Sequence, residues 1–250
     1  MQGSYPSRLI ETVPQVADIV SFRFERPEAY RFQAGQWFVL TFAGPDPARP
    51  YEHHFSHSNA PSDPRLEFTT RLRGSEFKNA LSVLPIGSHV HVEGPYGSFV
   101  MPPDVERAAF LAGGIGITCV RSILRWVAHL RAPAAGSVRE GEEPPLALRD
   151  IALFFANRSE DVIPFALELE ELTASLPGLR VAQVLSQPGE GWRGYRGHLD
   201  QTILAAELPD PGSWHYFVSG PPSFDQAMLE VLVGWGIEAP RIKLERFEGY

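Results

Sequence analysis

Short alternating runs of apolar and polar residues fill the first hundred positions of the chain. Residues 66–72 (LEFTTRL) alternate in the manner of a half-buried strand. A short helix is expected over 76–83. Several strands separated by proline and glycine turns predict an antiparallel barrel or sandwich. The other predicted strands of this part are 19–25, 37–42 and 89–92.

After Pro102 the pattern changes to apolar runs that alternate with helical segments. This alternation is typical of a parallel sheet with crossover helices. The first of these helices has apolar residues three to four positions apart from Ile117 to Leu130, which gives it one apolar face. We therefore expect two domains, 1–102 and 103–250. The apolar runs are 108–112, 151–156, 181–185 and 216–219.

The last predicted helix has signals at both ends. Ser223 and Gln226 have the spacing of a capping box, so we expect a helix that begins there and runs through Val233. Either Gly234 or Gly236 is expected to end it.

Composition excludes several classes of protein. The 250 residues are 44% hydrophobic, enough for full cores, and no apolar run is long enough to predict a membrane span. A net charge of −8 argues against nucleic-acid binding. The single cysteine, Cys119, excludes an internal disulfide and an iron–sulfur cluster held by this chain alone. No secretory signal is visible, so a cytoplasmic location is expected.

Three short segments carry the candidate chemistry. Residues 111–118 (LAGGIGIT) predict a strand that breaks into a glycine turn and then a helix, a geometry in which backbone N–H groups meet a phosphate. Residues 216–222 (YFVSGPP) repeat that pattern, and two such turns can line one crevice at the carboxyl ends of parallel strands. Residues 248–250 (EGY) place a carboxylate and an aromatic ring in position to cover a cofactor. Together the three segments indicate a nucleotide-dependent redox enzyme.

These segments, with four others in the same order, resemble the ferredoxin–NADP reductase-like superfamily over nearly the whole chain. The resemblance implies an N-terminal antiparallel β-barrel flavin domain and a C-terminal α/β parallel-sheet nucleotide-binding domain. It also implies a flavin-dependent NAD(P)H oxidoreductase. The matching segments are 32–36 (FQAGQ), 53–56 (HHFS), 58–61 (SNAP), 94–97 (GPYG), 113–118 (GGIGIT), 219–222 (SGPP) and 248–250 (EGY).

The resemblance implies four catalytic residues. Ser56 is expected near the flavin N5, where the hydride arrives. Ser219 and Glu248 are expected beside the nicotinamide ring. Tyr250 is expected to cover the flavin face that the nicotinamide must occupy, so it would swing aside during turnover.

The same resemblance implies the cofactor-binding residues. Phe55 would lie against the isoalloxazine ring, and His53 stands where the family has a phosphate-binding arginine. Imidazole lacks a permanent charge and a bidentate fork, so Lys78 is expected to compensate. Arg71 and Ser75 belong to the same flavin-phosphate region. Besides Ser56 and Tyr250, the remaining cofactor-binding predictions are Gly113, Gly114, Gly116, Ile117, Thr118, Asn157, Arg158, Ser219, Gly220, Pro221 and Pro222.

The cofactor expected from the resemblance is FAD, with FMN as the alternative. NADPH is favoured over NADH by a small margin, because Arg158 follows a predicted strand where it can meet a 2′-phosphate. Arg193 and Arg196 are further candidates for that contact. Electrons would pass to a separate acceptor, which is a ferredoxin, a flavodoxin, an oxygenase component or a small molecule.

Other interpretations stay open. A non-catalytic flavin- or nucleotide-binding module is the alternative, and His53 in place of arginine is its main support. A reductase of ferric chelates would share the fold and differ in its acceptor. No metal site is predicted, because the histidines at 53, 54, 57, 89 and 91 are not accompanied by carboxylate or thiolate ligands at suitable spacing.

Overall fold

Two six-stranded sheets, one in each half of the chain, make up the protein in a computed structural model that describes residues 2–46, 48–132 and 146–246. The first sheet is antiparallel and the second is parallel. Pro102 lies between the last strand of the first sheet and the first strand of the second. The predicted fold class is confirmed.

The antiparallel sheet has the strand order β4-β3-β6-β1-β2-β5, and a short helix, α1, follows β5. Phenylalanines from neighbouring strands fill its concave side. Phe22 and Phe24 each stack on Phe68, with ring centroids 5.3 and 5.6 Å apart. The elements are β1 (Gly3–Pro14), β2 (Ile19–Glu25), β3 (Trp37–Asp46), β4 (Arg49–Ser56), β5 (Arg65–Arg71), α1 (Glu76–Ser82) and β6 (His89–Tyr96).

The parallel sheet has the strand order β10-β9-β8-β7-β11-β12. Helices α2 and α3 pack on one face of it, and α4 and α5 pack on the other. Its central strands are therefore buried on both sides, which explains their continuous apolar sequences. The elements are β7 (Arg107–Gly113), α2 (Ile117–Arg131), β8 (Asp150–Asn157), α3 (Ala166–Ser175), β9 (Leu179–Leu185), β10 (Tyr195–Arg196), α4 (Gln201–Glu207), β11 (His215–Gly220), α5 (Pro222–Gly234) and β12 (Ile242–Arg246).

The predicted capping box of the last helix is wrong. Pro221 occupies the N-cap position of α5, and Pro222 is the first helical residue, so the helix begins before Ser223. Proline suits this position because the first helical N–H has no partner within the helix. The Gln226 amide instead donates to the Glu230 carboxylate, 2.7 Å away.

Several strands were absent from the sequence-based prediction. The largest are β1 (Gly3–Pro14) and β4 (Arg49–Ser56), which contain prolines or a run of polar residues. β4 is an edge strand, paired with β3 alone, so the constraints that make a central strand apolar do not act on it. None of the helices within the described ranges is long and apolar enough to cross a membrane.

Candidate cofactor site

Two chain reversals meet at the carboxyl edge of the parallel sheet. β7 and β11 are neighbours, with Ala112 opposite Ser219, so the turns that follow them lie side by side. After β7 the chain makes a 3₁₀ turn at Gly114–Gly116 and enters α2. No side chain caps the 3₁₀ turn, so the N–H groups at its start are available to an anion, whereas the Ile117 N–H at the start of α2 already donates to the Gly114 carbonyl. The predicted strand-turn-helix pattern is present at both places.

Glycine is required where the two turns touch. A Cβ on Gly116 would lie 2.2 Å from the carbonyl oxygen of Ser219, and one on Gly220 would lie 2.5 Å from the Phe224 ring. Gly114 has φ of +51° in the left-handed region. The glycines therefore allow close packing of one turn on the other, besides exposing backbone to a ligand.

A cleft of about 1220 Å³ connects the two halves of the molecule. One wall is the segment from the end of β5 into α1, and the other is the carboxyl edge of the parallel sheet. Ligand pockets usually have volumes of about 300–1,000 Å³, so this cleft has room for a large cofactor. The predicted residues that line the cleft are Arg71, Ser75, Lys78, Gly113, Gly114, Asn157, Arg158 and Pro221.

Several predicted residues lie behind this wall instead of in it. Ile117 is fully buried in the core under α2. The Thr118 hydroxyl donates to the Ile115 carbonyl, 3.1 Å away. The Ser219 hydroxyl, also fully buried, donates to the Gly116 carbonyl at 2.9 Å and lies 3.1 Å from the Cys119 Sγ. Ser219 thus connects the two turns.

At the end of β8 and just after it, the cleft has polar groups that suit a nucleotide. The side-chain oxygen and nitrogen of Asn157 are both buried and have no hydrogen-bond partner among the described residues. The Arg158 guanidinium is exposed and donates from Nε to the Gln187 side chain, 2.8 Å away. Arg196 turns back onto carbonyls of its own loop, and neither it nor Arg193 lines the cleft.

The opposite wall supplies positive charge. Ser75 caps α1 by accepting a hydrogen bond from the Lys78 backbone, 3.1 Å away. The Lys78 side chain is largely buried, and burial and the nearby Arg71 lower its pKa. Arg71 pairs with Asp18 at 3.3 Å. These cations suit a phosphate-bearing ligand.

The aromatic ring of Phe55 on β4 contacts other rings of the protein. Phe55 is 6% exposed and stacks on Phe68, with ring centroids 3.9 Å apart. The His53 ring stacks on Phe55 with centroids 4.9 Å apart. The next side chain along, Ser56, points its hydroxyl into a buried position where no described residue bonds it. Phe55 is thus embedded in the barrel core, and Ser56 keeps an unused hydroxyl.

The histidines do not converge. His57 is fully buried, its Nε2 lies 3.0 Å from the Tyr30 hydroxyl, and burial lowers its pKa well below the ordinary value. His53 and His54 lie on opposite sides of β4, since adjacent strand residues alternate. Within the described ranges, no three histidine, cysteine or acidic side chains are grouped to hold a metal ion.

The predicted Glu248 and Tyr250 lie outside the described residues. The structure reveals another carboxylate, Glu245 on β12, which pairs in register with Ser219. Burial and the neighbouring Asp225 raise the pKa of Glu245 to about 7. Glu245 was missed, although the sequence carries the signal: residues 245–247 (ERF) have the same carboxylate-x-aromatic spacing as residues 248–250.

Comparison with known proteins identifies the family. Residues 110–230 match the model of the oxidoreductase NAD-binding domain, and these residues include both turns. The chain is 29% identical to a ferredoxin–NADP reductase B of Sorangium cellulosum, covering 98% of each chain. The chain is therefore a homologue of this reductase, and its predicted resemblance to the ferredoxin–NADP reductase-like superfamily is confirmed.

Other members of this superfamily extend the comparison. The reductase is 27% identical to the glycine betaine monooxygenase reductase subunit of Chromohalobacter salexigens, covering 98% of this chain but 64% of that one. The fold matches the ferredoxin NADP⁺ reductase of Neisseria gonorrhoeae, crystallised with FAD and NADP, with a TM-score of 0.81. That alignment covers 97% of this chain and 98% of the other at 18% identity.

The residues of this chain fit the FAD and pyridine nucleotide of the superfamily. Asn157 in the parallel-sheet half and Ser56 in the antiparallel half each carry buried polar side-chain atoms that no described residue bonds. Lys78 provides positive charge in the cleft that connects these halves. Phe55 differs from an open stacking platform, because Phe68 and His53 both contact it.

Proposed function

We propose that this reductase takes a hydride from NADPH and passes electrons, through FAD, to a separate acceptor protein. The observation that carries the proposal is a large cleft whose walls come from both halves of the molecule. A bound flavin accepts a hydride and can release the two electrons one at a time. What the protein adds is binding, orientation and exclusion of water.

The nucleotide is proposed to lie across the carboxyl edge of the parallel sheet. Its pyrophosphate would meet the backbone of Gly113 and Gly114 before α2, where N–H groups favour an anion. Asn157 offers a donor and an acceptor without partners among the described residues. Arg158, oriented by Gln187, would contact a 2′-phosphate, which supports NADPH over NADH.

The nicotinamide is proposed to lie at the part of the cleft wall that has Ser219 and Glu245 buried behind it. Ser219 has a small side chain bound to Gly116, which leaves room for a ring and fixes the turn. Glu245, on the adjacent strand, is protonated for part of the neutral range, so it can donate or accept a hydrogen bond there. Glu248 and Tyr250 keep their proposed roles beside and over the rings.

The flavin is proposed to bind with its phosphates toward Lys78 and its ring system toward Ser56. Ser56 retains a hydroxyl that no described residue bonds. Lys78 would supply the charge that His53 lacks in its neutral form. Because His53 covers part of Phe55, binding of the ring requires His53 to turn aside.

The acceptor is proposed to be a ferredoxin-like or oxygenase protein. This follows from relatives named as a ferredoxin–NADP reductase and as the reductase subunit of a glycine betaine monooxygenase. These 250 residues contain a single cysteine, too few to hold an iron–sulfur cluster, which supports a separate one-electron carrier. We also propose a cytoplasmic location.

The second candidate is a non-catalytic flavin- or nucleotide-binding module. It is favoured by one observation, the contact of Phe55 with both Phe68 and His53. A side chain embedded in this way presents less surface to a flavin. The Ser56 hydroxyl, which no described residue bonds, fits a bound flavin and counts against a module that binds a nucleotide alone.

An anaerobic absorbance spectrum tests the proposal. The protein is incubated with FAD, desalted, and mixed with NADPH or with NADH. We expect flavin bands that bleach with both nucleotides and bleach faster with NADPH. A protein that retains flavin but is bleached by neither nucleotide would support the binding module, and one that retains neither FAD nor FMN would contradict the proposal.

A further inference from the structure

A buried ionic network outside the cleft joins the two halves of the molecule. Its centre is Arg121 on α2, which is 5% exposed. Its Nη1 donates to the Glu67 carboxylate of β5, 2.7 Å away, and to the Ser58 carbonyl, 2.5 Å away. Its Nε donates to Glu168 on α3 at 2.7 Å. One guanidinium thus bonds to both halves.

The Glu67 carboxylate accepts hydrogen bonds from two arginines, Arg121 and Arg23. Glu67 is 4% exposed, and its hydrogen bond from Arg23 is 2.6 Å long. Burial favours a raised pKa for Glu67, but attraction to Arg121 and hydrogen bonds from Arg23 and Ser58 bring it below its ordinary value. The carboxylate is therefore ionised, and it lies between one arginine of its own sheet and one of the other half.

The segment beneath Arg121, residues 58–59, is held by several hydrogen bonds. The Ser58 hydroxyl donates to Glu67 at 2.9 Å and accepts from Thr69 at 3.0 Å. The Asn59 carbonyl accepts a hydrogen bond from the Ser122 hydroxyl, 2.6 Å away. α2 therefore holds two consecutive carbonyls of this segment with two consecutive residues.

Stability alone does not account for this arrangement. Taking an ion pair out of water costs about as much as the pair returns, and well-packed apolar residues often do as well. What a planar guanidinium with three separate acceptors adds is a fixed geometry. Ser56 lies two residues before Ser58, and Gly116 lies five residues before Arg121. Arg121 therefore links the chain beside the flavin to the turn beside the nucleotide.

We propose that Arg121 is a positioning residue, which sets the spacing between the flavin-binding strand β4 and the nucleotide-binding glycine turn. The inference rests on the proposed function, since it concerns the approach of the two rings. Positioning within a near-attack geometry affects the rate of hydride transfer more than the affinity for either ligand. Arg121 itself is buried and does not line the cleft.

Two variants that remove one arginine each from Glu67 test the proposal. Arg121→Gln removes the contact of Glu67 with the other half, and Arg23→Gln removes its contact within the antiparallel sheet. We expect Arg121→Gln to lower the limiting rate of flavin reduction by NADPH at least about tenfold, with the nucleotide Kd changed by less than about threefold. Arg23→Gln is expected to change that rate by less than about twofold.

A second readout is independent of activity. Hydrogen–deuterium exchange of the protein as purified is expected to rise in residues 57–60 and 114–118 for Arg121→Gln, and not for Arg23→Gln. Equal rates and equal exchange in the two variants would overturn the proposal. A wild-type protein that NADPH does not bleach would refute the proposed function, while the exchange comparison would still decide whether Arg121 joins the halves.

Arg121→Lys covers the case in which the glutamine variant does not fold. Lysine keeps the charge but lacks the fork that reaches Glu67, Glu168 and Ser58 together. We expect a folded protein with a several-fold lower limiting rate and raised exchange in the same two segments. A lysine variant with wild-type rate and exchange would show that charge alone suffices, and would contradict the positioning role.

Discussion

The glycine turn after β7 and the aromatic strand β4 are the two candidate cofactor surfaces of this reductase, and they are built differently. At the turn, Gly113 and Gly114 line the cleft with backbone, and the side chains behind them pack into the core. On β4, the surface consists of side chains, and Phe55 contacts Phe68 and His53 within the protein. One surface is ready for a ligand, whereas the other must rearrange.

This difference shows which kind of site a local sequence determines. Backbone N–H groups point where the turn directs them, and the turn is specified by neighbouring glycines. An aromatic side chain on a strand faces whatever the paired strands bring to it, here a phenylalanine from β5. We therefore expect substitutions at the turn to reduce stability and nucleotide binding strongly. Substitutions on β4 are expected to be tolerated, or to strengthen flavin binding.

Gly116→Ala is expected to have the largest effect. The added Cβ would lie 2.2 Å from the Ser219 carbonyl oxygen, so one of the two adjoining backbones must move. We expect a loss of roughly 3 kcal/mol in the free energy of unfolding and at least tenfold weaker NADP⁺ binding. Chemical denaturation and calorimetric titration measure the two effects.

Gly191→Ala is the matched control, because a Cβ there meets no atom within 4 Å. It should leave both quantities nearly unchanged. If Gly116→Ala were equally silent, the close packing of the two turns would not be needed for the nucleotide site.

Glu245→Gln tests the buried carboxylate that lies beside Ser219 on the neighbouring strand β12. The pKa of Glu245 is raised from 4.5 to about 7 by burial and Asp225, so the folded protein keeps a proton that the unfolded chain releases. The contribution of Glu245 to the free energy of unfolding is complete below about pH 4.5 and is lost as the pH rises to about 7. Glutamine removes that decline, which amounts to at most about 3 kcal/mol.

Urea denaturation at pH 4.5 and pH 8 measures this effect. The free-energy advantage of the glutamine variant over wild type should be greater at pH 8 than at pH 4.5. Glu171→Gln, an exposed site on α3, controls for removal of a charge. A pH-independent difference would place Glu245 in a more polar environment than its burial indicates.

His53→Arg tests the surface on β4. A guanidinium carries a permanent charge and a bidentate fork for phosphate, which neutral imidazole lacks. We expect FAD to bind about tenfold more tightly, or about 1.4 kcal/mol, by fluorescence titration. The effect combines a new phosphate contact with release of the His53 ring from Phe55.

His54→Arg is the control, since it adds the same charge one residue along on the exposed face of β4. Equal gains from the two arginines would point to long-range attraction and not to a specific contact. No gain from either would favour the module without flavin chemistry.

Arg158→Ala is expected to have the smallest effect. Arg158 is exposed and held by one hydrogen bond to Gln187, so its contact with a 2′-phosphate is partly screened by water. The KM for NADPH should rise about three- to tenfold, with the KM for NADH unchanged. Arg193→Ala, outside the cleft, is the control, and a parallel rise for both nucleotides would exclude a role in selecting NADPH.

Much of the fold and part of the site followed from local sequence. The buried strands of the parallel sheet are continuous apolar runs, and the 111–118 segment contains its own turn, so both were predicted within a residue or two. β4 was not, because an edge strand needs no apolar pattern. The start of α5 was misplaced because two prolines determine it more strongly than Ser223 does.

The sequence by itself determined the two kinds of sheet, the glycine turns and the family, because each depends on neighbouring residues or on their order. The tertiary structure alone decided which distant side chains meet. It paired Glu245 with Ser219, placed Arg121 against Glu67 and buried Phe55 on Phe68. Strand register and helix docking bring these residues together over 13 to 54 positions of chain, a separation that no local pattern encodes.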